Sequence, residues 1–253
     1  MNIQDLAKKI ETYWDKRSTA FSAVRRRELS GPNAALWHKL IAAHLPQGEN
    51  VRILDVGTGA GFFPVILSMS GYDVTGVDCS TGMIEEAKKN LAFFGCQANI
   101  LTMDAQKLDF PDASFDAVIS RNLTWTLPDV MEAYREWSRV LTANGTLINF
   151  DSDCGKITFS KQDDQANVHA GIDDELITEC NEIKEGLRIS THRRPDWDAE
   201  YLSRLGFSVT VENNVAPLVR QDANLHYDNT PLFAIYAKKG VRDGSMSRAY
   251  RRF

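Results

Sequence analysis

The sequence of 253 residues has few cysteines, no long apolar run and no excess of basic residues. Its four cysteines, Cys79, Cys96, Cys154 and Cys180, form no Cys-x-x-Cys pair, which disfavours a zinc ribbon, an iron–sulfur site or a disulfide framework. No apolar run approaches the roughly 20 residues that span a bilayer, and the N-terminus lacks the apolar core of a signal peptide. We therefore expect a cytoplasmic protein with reduced thiols and no membrane partner.

The charge balance also restricts the partners. The formal net charge is -5 at pH 7, so no overall positive field attracts nucleic acid, although a local basic patch is not excluded by this argument. The acidic residues and histidines between positions 151 and 195 have no recognised ligand spacing, so we expect no metal site. The length fits one large domain, or a core domain with a small cap.

A glycine turn follows the first predicted strand. Ile53, Leu54 and Val56 form the apolar run of a strand that is buried on both faces. Glycines at positions 57, 59 and 61 remove the β-carbons that would keep a ligand away from the backbone. Asp55 places a carboxylate at the end of the strand, where it would repel a pyrophosphate and attract an ammonium group. This stretch predicts a ligand at the end of the first strand.

Such a turn binds dinucleotides in some folds and other nucleoside ligands in others. A dinucleotide fingerprint reads Gly-x-Gly-x-x-Gly, whereas here the third glycine falls one residue early and Phe62 follows it. Asp78, at the end of the second predicted strand, is placed to accept hydrogen bonds from both ribose hydroxyls, which suits either ligand. An NAD-dependent oxidoreductase therefore stays an alternative that Asp55 and Phe62 disfavour.

From residue 51 onward, predicted strands and helices alternate, which indicates an α/β fold with a doubly wound parallel sheet. We predict strands at 51–56, 73–77, 98–102, 146–150, 207–211 and 232–237, with a further strand ending at Ser120, and helices at 61–70, 81–94, 129–141 and 195–205. In such a sheet the ligand crevice lies at the carboxyl ends of the strands, where the strand order reverses.

The pattern Asp-x-Gly-x-Gly-x-Gly from Asp55 to Gly61 resembles motif I of the class I S-adenosylmethionine (SAM) dependent methyltransferases. The run Arg-Val-Leu-x-x-x-Gly from Arg139 to Gly145 is similar to the group often labelled type 11, and the resemblance covers about residues 50–150. It implies a Rossmann-like, seven-stranded sheet whose last strand is antiparallel, and SAM as the cofactor. It also implies that Asp104, after the third strand, accepts from the adenine amino group, unless Asp104 is a surface turn residue.

The resemblance implies the cofactor-binding residues Asp55, Gly57, Thr58, Gly59, Asp78, Cys79, Met83, Asp104, Ala105, Arg121 and Asn122. Residues 120–125 should face the transferred methyl group, with Trp125 either walling the acceptor pocket or packing in the core.

The segments outside the core should determine which acceptor molecule the protein binds. Residues 1–48 are predicted as a helical lid in which Tyr13, Arg17 and Phe21 face the ligand, or else as an amphipathic helix that packs on the sheet. Residues 49–240 form the predicted methyltransferase domain, which includes a substrate-capping insert at 151–195. Residues 241–253 are predicted to be a flexible tail. Asp151 and His169 are our candidate bases, although His169 and His192 also suit surface positions.

The predicted function is direct in-line transfer of a methyl group from SAM to an O, N, S or C atom of a small-molecule acceptor. The Asn-Pro-Pro-aromatic tetrad that grips planar nitrogens is missing after the fourth strand, where Arg121 to Thr124 stand. An RNA or protein methyltransferase and a non-catalytic SAM-binding protein remain alternatives, and a homodimer is possible.

Overall fold

The computed structural model describes residues 2–240, in which helices cover both faces of one sheet. The predicted tail, 241–253, lies outside the described residues. The helices are α1 (Ile3–Ser30), α2 (Asn33–Ala42), α3 (Phe62–Ser68), α4 (Thr81–Phe93), α5 (Val130–Val140), α6 (Asp174–Gly186), α7 (Asp196–Arg204) and α8 (Ala216–Val219). The strands are β1 (Arg52–Val56), β2 (Asp73–Asp78), β3 (Asn99–Thr102), β4 (Phe115–Arg121), β5 (Leu141–Asp151), β6 (Phe207–Glu212) and β7 (Phe233–Lys239). Short 3-10 turns lie at Thr124–Thr126, Cys154–Lys156 and Arg188–Thr191.

The strand order of the sheet is β3-β2-β1-β4-β5-β7-β6. Strands β1 to β5 pair in parallel, whereas β7 runs antiparallel to both β5 and β6. This confirms the predicted seven-stranded, doubly wound fold with an antiparallel last strand. The order reverses between β1 and β4, so the carboxyl ends of these two strands border the crevice.

Two hydrophobic cores, one on each face of the sheet, explain why the parallel strands are apolar along their whole length. One core contains Tyr134 and Trp137 of α5, both of which are fully buried. The other contains Trp37 of α2, which packs edge-on against Phe63 and Phe150. Burial of such aromatic side chains removes a large apolar area from water, and it fixes α2 and α5 on opposite faces.

The glycine at position 61 serves helix packing. Gly61 begins α3 with a left-handed φ of 80°, and a β-carbon there would lie 3.1 Å from the Cα atom of Ala87 in α4. Only glycine adopts this conformation freely and also lets the two helices approach this closely. Helix α4 itself begins at the predicted cap, because the Ser80 hydroxyl accepts from the Met83 amide.

The N-terminal residues form one helix of 28 residues, α1, followed by the shorter α2. Asp15 of α1 accepts hydrogen bonds from the Ser80 hydroxyl at 2.6 Å and from the Gly82 amide at 2.9 Å. These contacts tie α1 to the start of α4, at the edge of the crevice. The division into a lid, a methyltransferase domain and an insert stays a prediction. Within the described part of the chain, no helix is long and apolar enough to cross a membrane.

Candidate cofactor and acceptor site

A cavity of about 520 Å³ opens at the carboxyl ends of β1, β2 and β4, within the usual size range of ligand pockets. Helix α1 borders it with Trp14, Phe21 and Arg25, and the segment after β5 borders it with Cys154 and Phe159. The sequence-predicted residues that line it are Asp55, Gly57, Thr58, Gly59, Asp78, Cys79, Met83, Asp104, Ala105, Arg121, Asn122, Trp125 and His169. The structure thus brings most of the predicted site residues together around one cavity.

The glycine turn is held against β2 by backbone hydrogen bonds. The amides of Gly57 and Thr58 both donate to the Val77 carbonyl at 2.9 Å. Gly59 has a φ of 52°, and a β-carbon there would lie 3.2 Å from Cε1 of Phe21. The turn therefore presents bare backbone to the cavity beneath the Phe21 ring.

Two carboxylates lie beside this turn. Asp78 accepts from the Gly59 amide and from the Ser80 amide, each at 2.9 Å, and burial raises its pKa to about 6. Asp55 accepts from the Thr58 hydroxyl at 2.6 Å, and burial, with a smaller contribution from the charge of Asp78, raises its pKa to about 7. Within residues 2–240 neither carboxylate forms an ion pair, and the charge of Arg121 lowers the pKa of Asp55 by less than burial raises it. A cationic ligand would therefore favour their ionised forms.

The loop after β4 forms the wall of the cavity next to this turn. The Trp125 ring is nearly buried and borders the cavity, and its indole Nε1 donates to the Asn122 carbonyl at 3.0 Å. Asn122 has a φ of 55°, and its amide donates to the Phe150 carbonyl at 2.8 Å. The two predicted roles of Trp125, as a wall of the pocket and as a core residue, are therefore compatible.

The structure contradicts the predicted placement of Asp151 beside the acceptor. Asp151 is fully buried and does not border the cavity. Its oxygens accept from the Thr124 hydroxyl, the Trp125 and Ser152 amides and the Arg194 guanidinium. With these donors Asp151 anchors the loop after β4, and it has no free oxygen directed at a substrate. The sequence did not reveal Arg194, because it lies 43 residues further along the chain.

The structure also contradicts the predicted orientation of Tyr13 and Arg17. Both are buried, at 4% and 7% exposure, and neither borders the cavity. They lie on the side of α1 that packs against α6, where burial and the Cys180 thiol raise the pKa of Tyr13. Phe21, one turn beyond Arg17 and rotated toward Trp14, borders the cavity as predicted. The helical period revealed a two-sided helix but not which side faces the ligand.

His169 borders the cavity, and its Nδ1 lies 2.7 Å from Oδ2 of Asp228. In the neutral ring this contact places the proton on Nδ1 and leaves Nε2 as an acceptor. Asp228 also borders the cavity and was missed in the sequence, where no motif surrounds it. His192, by contrast, stacks on Trp197 at 4.6 Å and lies outside the cavity lining. Within residues 2–240, no cluster of three metal-ligating side chains occurs.

The comparisons with known proteins agree with this fold. Residues 54–149 match the methyltransferase domain family. The putative methyltransferase YqeM of Bacillus subtilis is 34% identical over 44% of this chain and 46% of its own length. The C-methyltransferase UbiE of Desulfotalea psychrophila, of ubiquinone and menaquinone biosynthesis, is 32% identical over 46% of this chain and 47% of its own length. The chain thus spans about half the length of these curated relatives.

A solved structure extends the likeness in fold beyond the matched domain. Phosphoethanolamine N-methyltransferase 2 of Haemonchus contortus, in complex with SAM, superposes with a TM-score of 0.66 at 17% identity, over 92% of this chain and 60% of that one. Residues 54–149 are thus a domain of the methyltransferase family, and the sheet has the seven-stranded fold expected of the class I SAM-dependent methyltransferases, whose cofactor is SAM. The predicted family and cofactor are confirmed, and the oxidoreductase alternative loses its support.

The described residues fit this cofactor. SAM carries an ammonium and a sulfonium charge together with two ribose hydroxyls, and Asp55 and Asp78 supply carboxylates near the bare Gly59 backbone. Cys79, Met83 and Ala105 provide an apolar border beside Asp104, whose Oδ1 accepts from the Gln106 amide at 2.9 Å. The individual contacts of these residues with SAM stay predictions.

Cofactor affinity should depend on pH, because Asp55 and Asp78 have raised pKa values of about 7 and about 6. Below these values each carboxyl binds a proton that a cationic ligand must displace. We expect the affinity for S-adenosylhomocysteine to fall between about pH 8 and pH 5, by up to about tenfold per pH unit for each group that titrates. Calorimetry in buffers of different ionisation enthalpy would measure the released protons.

The matched control for this measurement is Asp55→Asn, which should remove the titration near pH 7 and leave the one near pH 6. An affinity that is constant across the same range would contradict ionised carboxylates in the complex.

Proposed function

We propose that this protein transfers the methyl group of SAM to a small-molecule acceptor. The observation that carries the proposal is the cavity itself, which extends from the Asp78 and Gly59 end to Trp125 and His169 and is bordered by α1 on one side and by the segment after β5 on the other. A cavity bordered in this way suits a small molecule better than a polymer. The names of similar proteins support the same class, since UbiE acts in quinone biosynthesis and the Haemonchus enzyme acts on phosphoethanolamine.

Bound SAM supplies an electrophilic methyl group, so the chain has chiefly to hold an acceptor in line with it. Effective positioning of this kind contributes about 7–11 kcal/mol to lowering the barrier. We assign Asp78 to the ribose hydroxyls and the Gly59 backbone to close contact with the cofactor. Trp125 and Phe159, whose rings lie 5.5 Å apart, would wall the acceptor and exclude water. In this proposal α1 is the lid, through Trp14 and Phe21 rather than Tyr13 and Arg17.

A fractionated cell extract tests this function. The full chain is incubated with SAM and either the dialysable metabolites or the retained macromolecules of the same extract, and S-adenosylhomocysteine is measured by mass spectrometry. We expect product with the metabolites. Product with the macromolecules alone would indicate an RNA or protein acceptor, and SAM binding without product from either fraction would indicate a non-catalytic binder.

We assign His169 as the base that takes a proton from an acceptor whose attacking atom is protonated. Asp228 holds the ring through Nδ1, which leaves Nε2 to accept. With an acceptor found by fractionation, His169→Ala should lower kcat by about 100-fold or more, and Asp228→Asn by a smaller factor. Single-turnover rates at saturating SAM would measure both.

The chain contains a matched control for this prediction. His226 pairs with Asp164 in the same way as His169 pairs with Asp228, but it is exposed and lies outside the cavity lining. His226→Ala should leave kcat unchanged. Equal rates for wild type and His169→Ala would show that the acceptor needs no base from this residue.

A further inference from the structure

We propose that one end of the cavity, formed by Arg25, Arg121 and Arg220, binds an anionic group of the acceptor, a carboxylate or a phosphate. The inference rests on the proposed methyltransferase function and names the substrate class of the same cavity. All three arginines border the cavity. They come from separate elements, since Arg25 belongs to α1, Arg121 ends β4 and Arg220 follows α8.

There are more guanidinium groups at this end of the cavity than carboxylates in contact with them. Glu28 is fully buried and accepts from Arg25 and from Arg121, the latter at 2.9 Å. Burial alone would raise the pKa of Glu28, but these two cations lower it to about 2. The guanidinium group of Arg220 forms no hydrogen bond or ion pair with residues 2–240. Glu28 thus contacts Arg25 and Arg121 but not Arg220, and these three arginines with Glu28 carry an excess of two positive charges.

The charge of Asp228 lowers this excess from two to one, but Asp228 does not pair with Arg220. It is the other carboxylate near Arg220, but its Oδ2 contacts His169 Nδ1 at 2.7 Å and its Oδ1 accepts from the Asn167 amide group at 3.1 Å. Both oxygens are thus engaged away from Arg220. Burial and the charge of Arg121 lower the pKa of Arg220 to about 10, as expected for a cation without a partner of its own.

Several hydrogen-bond donors at this end of the cavity are unused. The Nε atoms of Arg25, Arg121 and Arg220 are buried and have no partner among the described residues. The Arg220 guanidinium lies over the Tyr227 ring, with its Cζ 4.7 Å from the ring centre. The Tyr227 hydroxyl accepts from Asn33 at 3.1 Å and keeps its own proton to donate. Buried donors normally have partners, so a cluster of unused ones indicates a ligand with acceptor oxygens.

The position of this cluster favours the acceptor over the cofactor's own carboxylate. Arg220 lies in the connection between β6 and β7, whereas Asp78 ends β2 in the other half of the sheet. The Phe21 ring lies against Gly59, and the Arg25 guanidinium covers the same ring at 4.7 Å from its centre. An aromatic side chain thus stands between the glycine turn and this cation. The acceptor predicted here carries its anionic group at a distance from the atom that receives the methyl.

Binding of inorganic phosphate and of acetate to the full chain loaded with S-adenosylhomocysteine tests this proposal by calorimetry. We expect saturable binding in the millimolar range for at least one of the two anions. Arg220→Met should weaken it by at least about tenfold, and Arg220→Lys should weaken it less because the charge is kept. Arg204→Met is the matched control, since Arg204 is exposed in α7, and it should bind the anion as the wild type does.

Three results would overturn the proposal. Absence of saturable binding of either anion to the loaded protein would remove the site. Equal binding by wild type, Arg220→Met and Arg204→Met would show surface association only. A tenfold loss of S-adenosylhomocysteine affinity in Arg220→Met, with unchanged affinity for 5′-methylthioadenosine, which lacks the amino acid group, would assign the cluster to the cofactor's carboxylate. Failure of the wild type to bind S-adenosylhomocysteine would instead contradict the proposed function itself.

Discussion

Replacement of Arg194 by methionine should lower the free energy of unfolding by about 3–5 kcal/mol. The Arg194 side chain is only 2% exposed and pairs with Asp151 at 3.1 Å and with Asp198 at 2.8 Å. It also donates to the Thr124 hydroxyl at 2.6 Å. Both carboxylates are fully buried, so the substitution would leave two uncompensated acidic groups inside the protein. Urea unfolding at neutral pH would measure the loss.

The decrease in the free energy of unfolding caused by Arg194→Met should be smaller at acidic pH. Burial raises the pKa of Asp151 even with Arg194 present, and removal of the guanidinium would raise it further. A carboxyl whose pKa is higher in the folded than in the unfolded state binds more protons when folded, so its contribution to stability decreases as pH rises between the two values. Arg194→Met should therefore lie closer to the wild type at pH 5 than at pH 8, as expected from this linkage.

Arg193 provides the control for this prediction. It is the neighbouring residue, its side chain is 83% exposed, and it pairs with the exposed Asp196. Arg193→Met should change the free energy of unfolding by less than about 0.5 kcal/mol. A loss below about 1 kcal/mol for Arg194→Met would show that the buried cluster contributes little net stability, as happens when apolar packing replaces an ion pair well.

Replacement of Asp78 by alanine should abolish measurable SAM binding. Two charge-assisted hydrogen bonds to ribose, at about 1.5–3 kcal/mol each, correspond to a loss of about 100- to 10,000-fold in affinity. The substitution also releases the Gly59 and Ser80 amides, which Asp78 holds at 2.9 Å, so the glycine turn would lose one of its attachments to β2 and keep those of Gly57 and Thr58 to Val77. Calorimetric titration with SAM and with S-adenosylhomocysteine would measure the effect.

Asp73→Ala is the matched control, because Asp73 is the exposed first residue of the same strand. It should bind both ligands as the wild type does. Thermal unfolding of the two variants would show whether each remains folded. Wild-type affinity in a folded Asp78→Ala protein would contradict the assignment of this carboxylate to the ribose.

The sequence by itself determined the sheet and the residues at its ligand-binding edge. Apolar runs, a glycine turn and acidic strand ends are local patterns, and parallel strands bring their carboxyl ends to one edge. For this reason Asp55, Gly59, Asp78 and Asn122 all border the predicted crevice. No further information about packing was needed to place them there.

Only the tertiary structure decided which residues outside the core face the cavity. A helical period indicates that α1 has two sides, but rotation about its axis is set by packing against α6, which turned Tyr13 and Arg17 away. The His169 and Asp228 pair joins residues 59 positions apart, and Arg194 reaches Asp151 from 43 positions away. Such contacts depend on where the chain returns after a loop, because buried charges find partners in space that their sequence neighbours do not reveal.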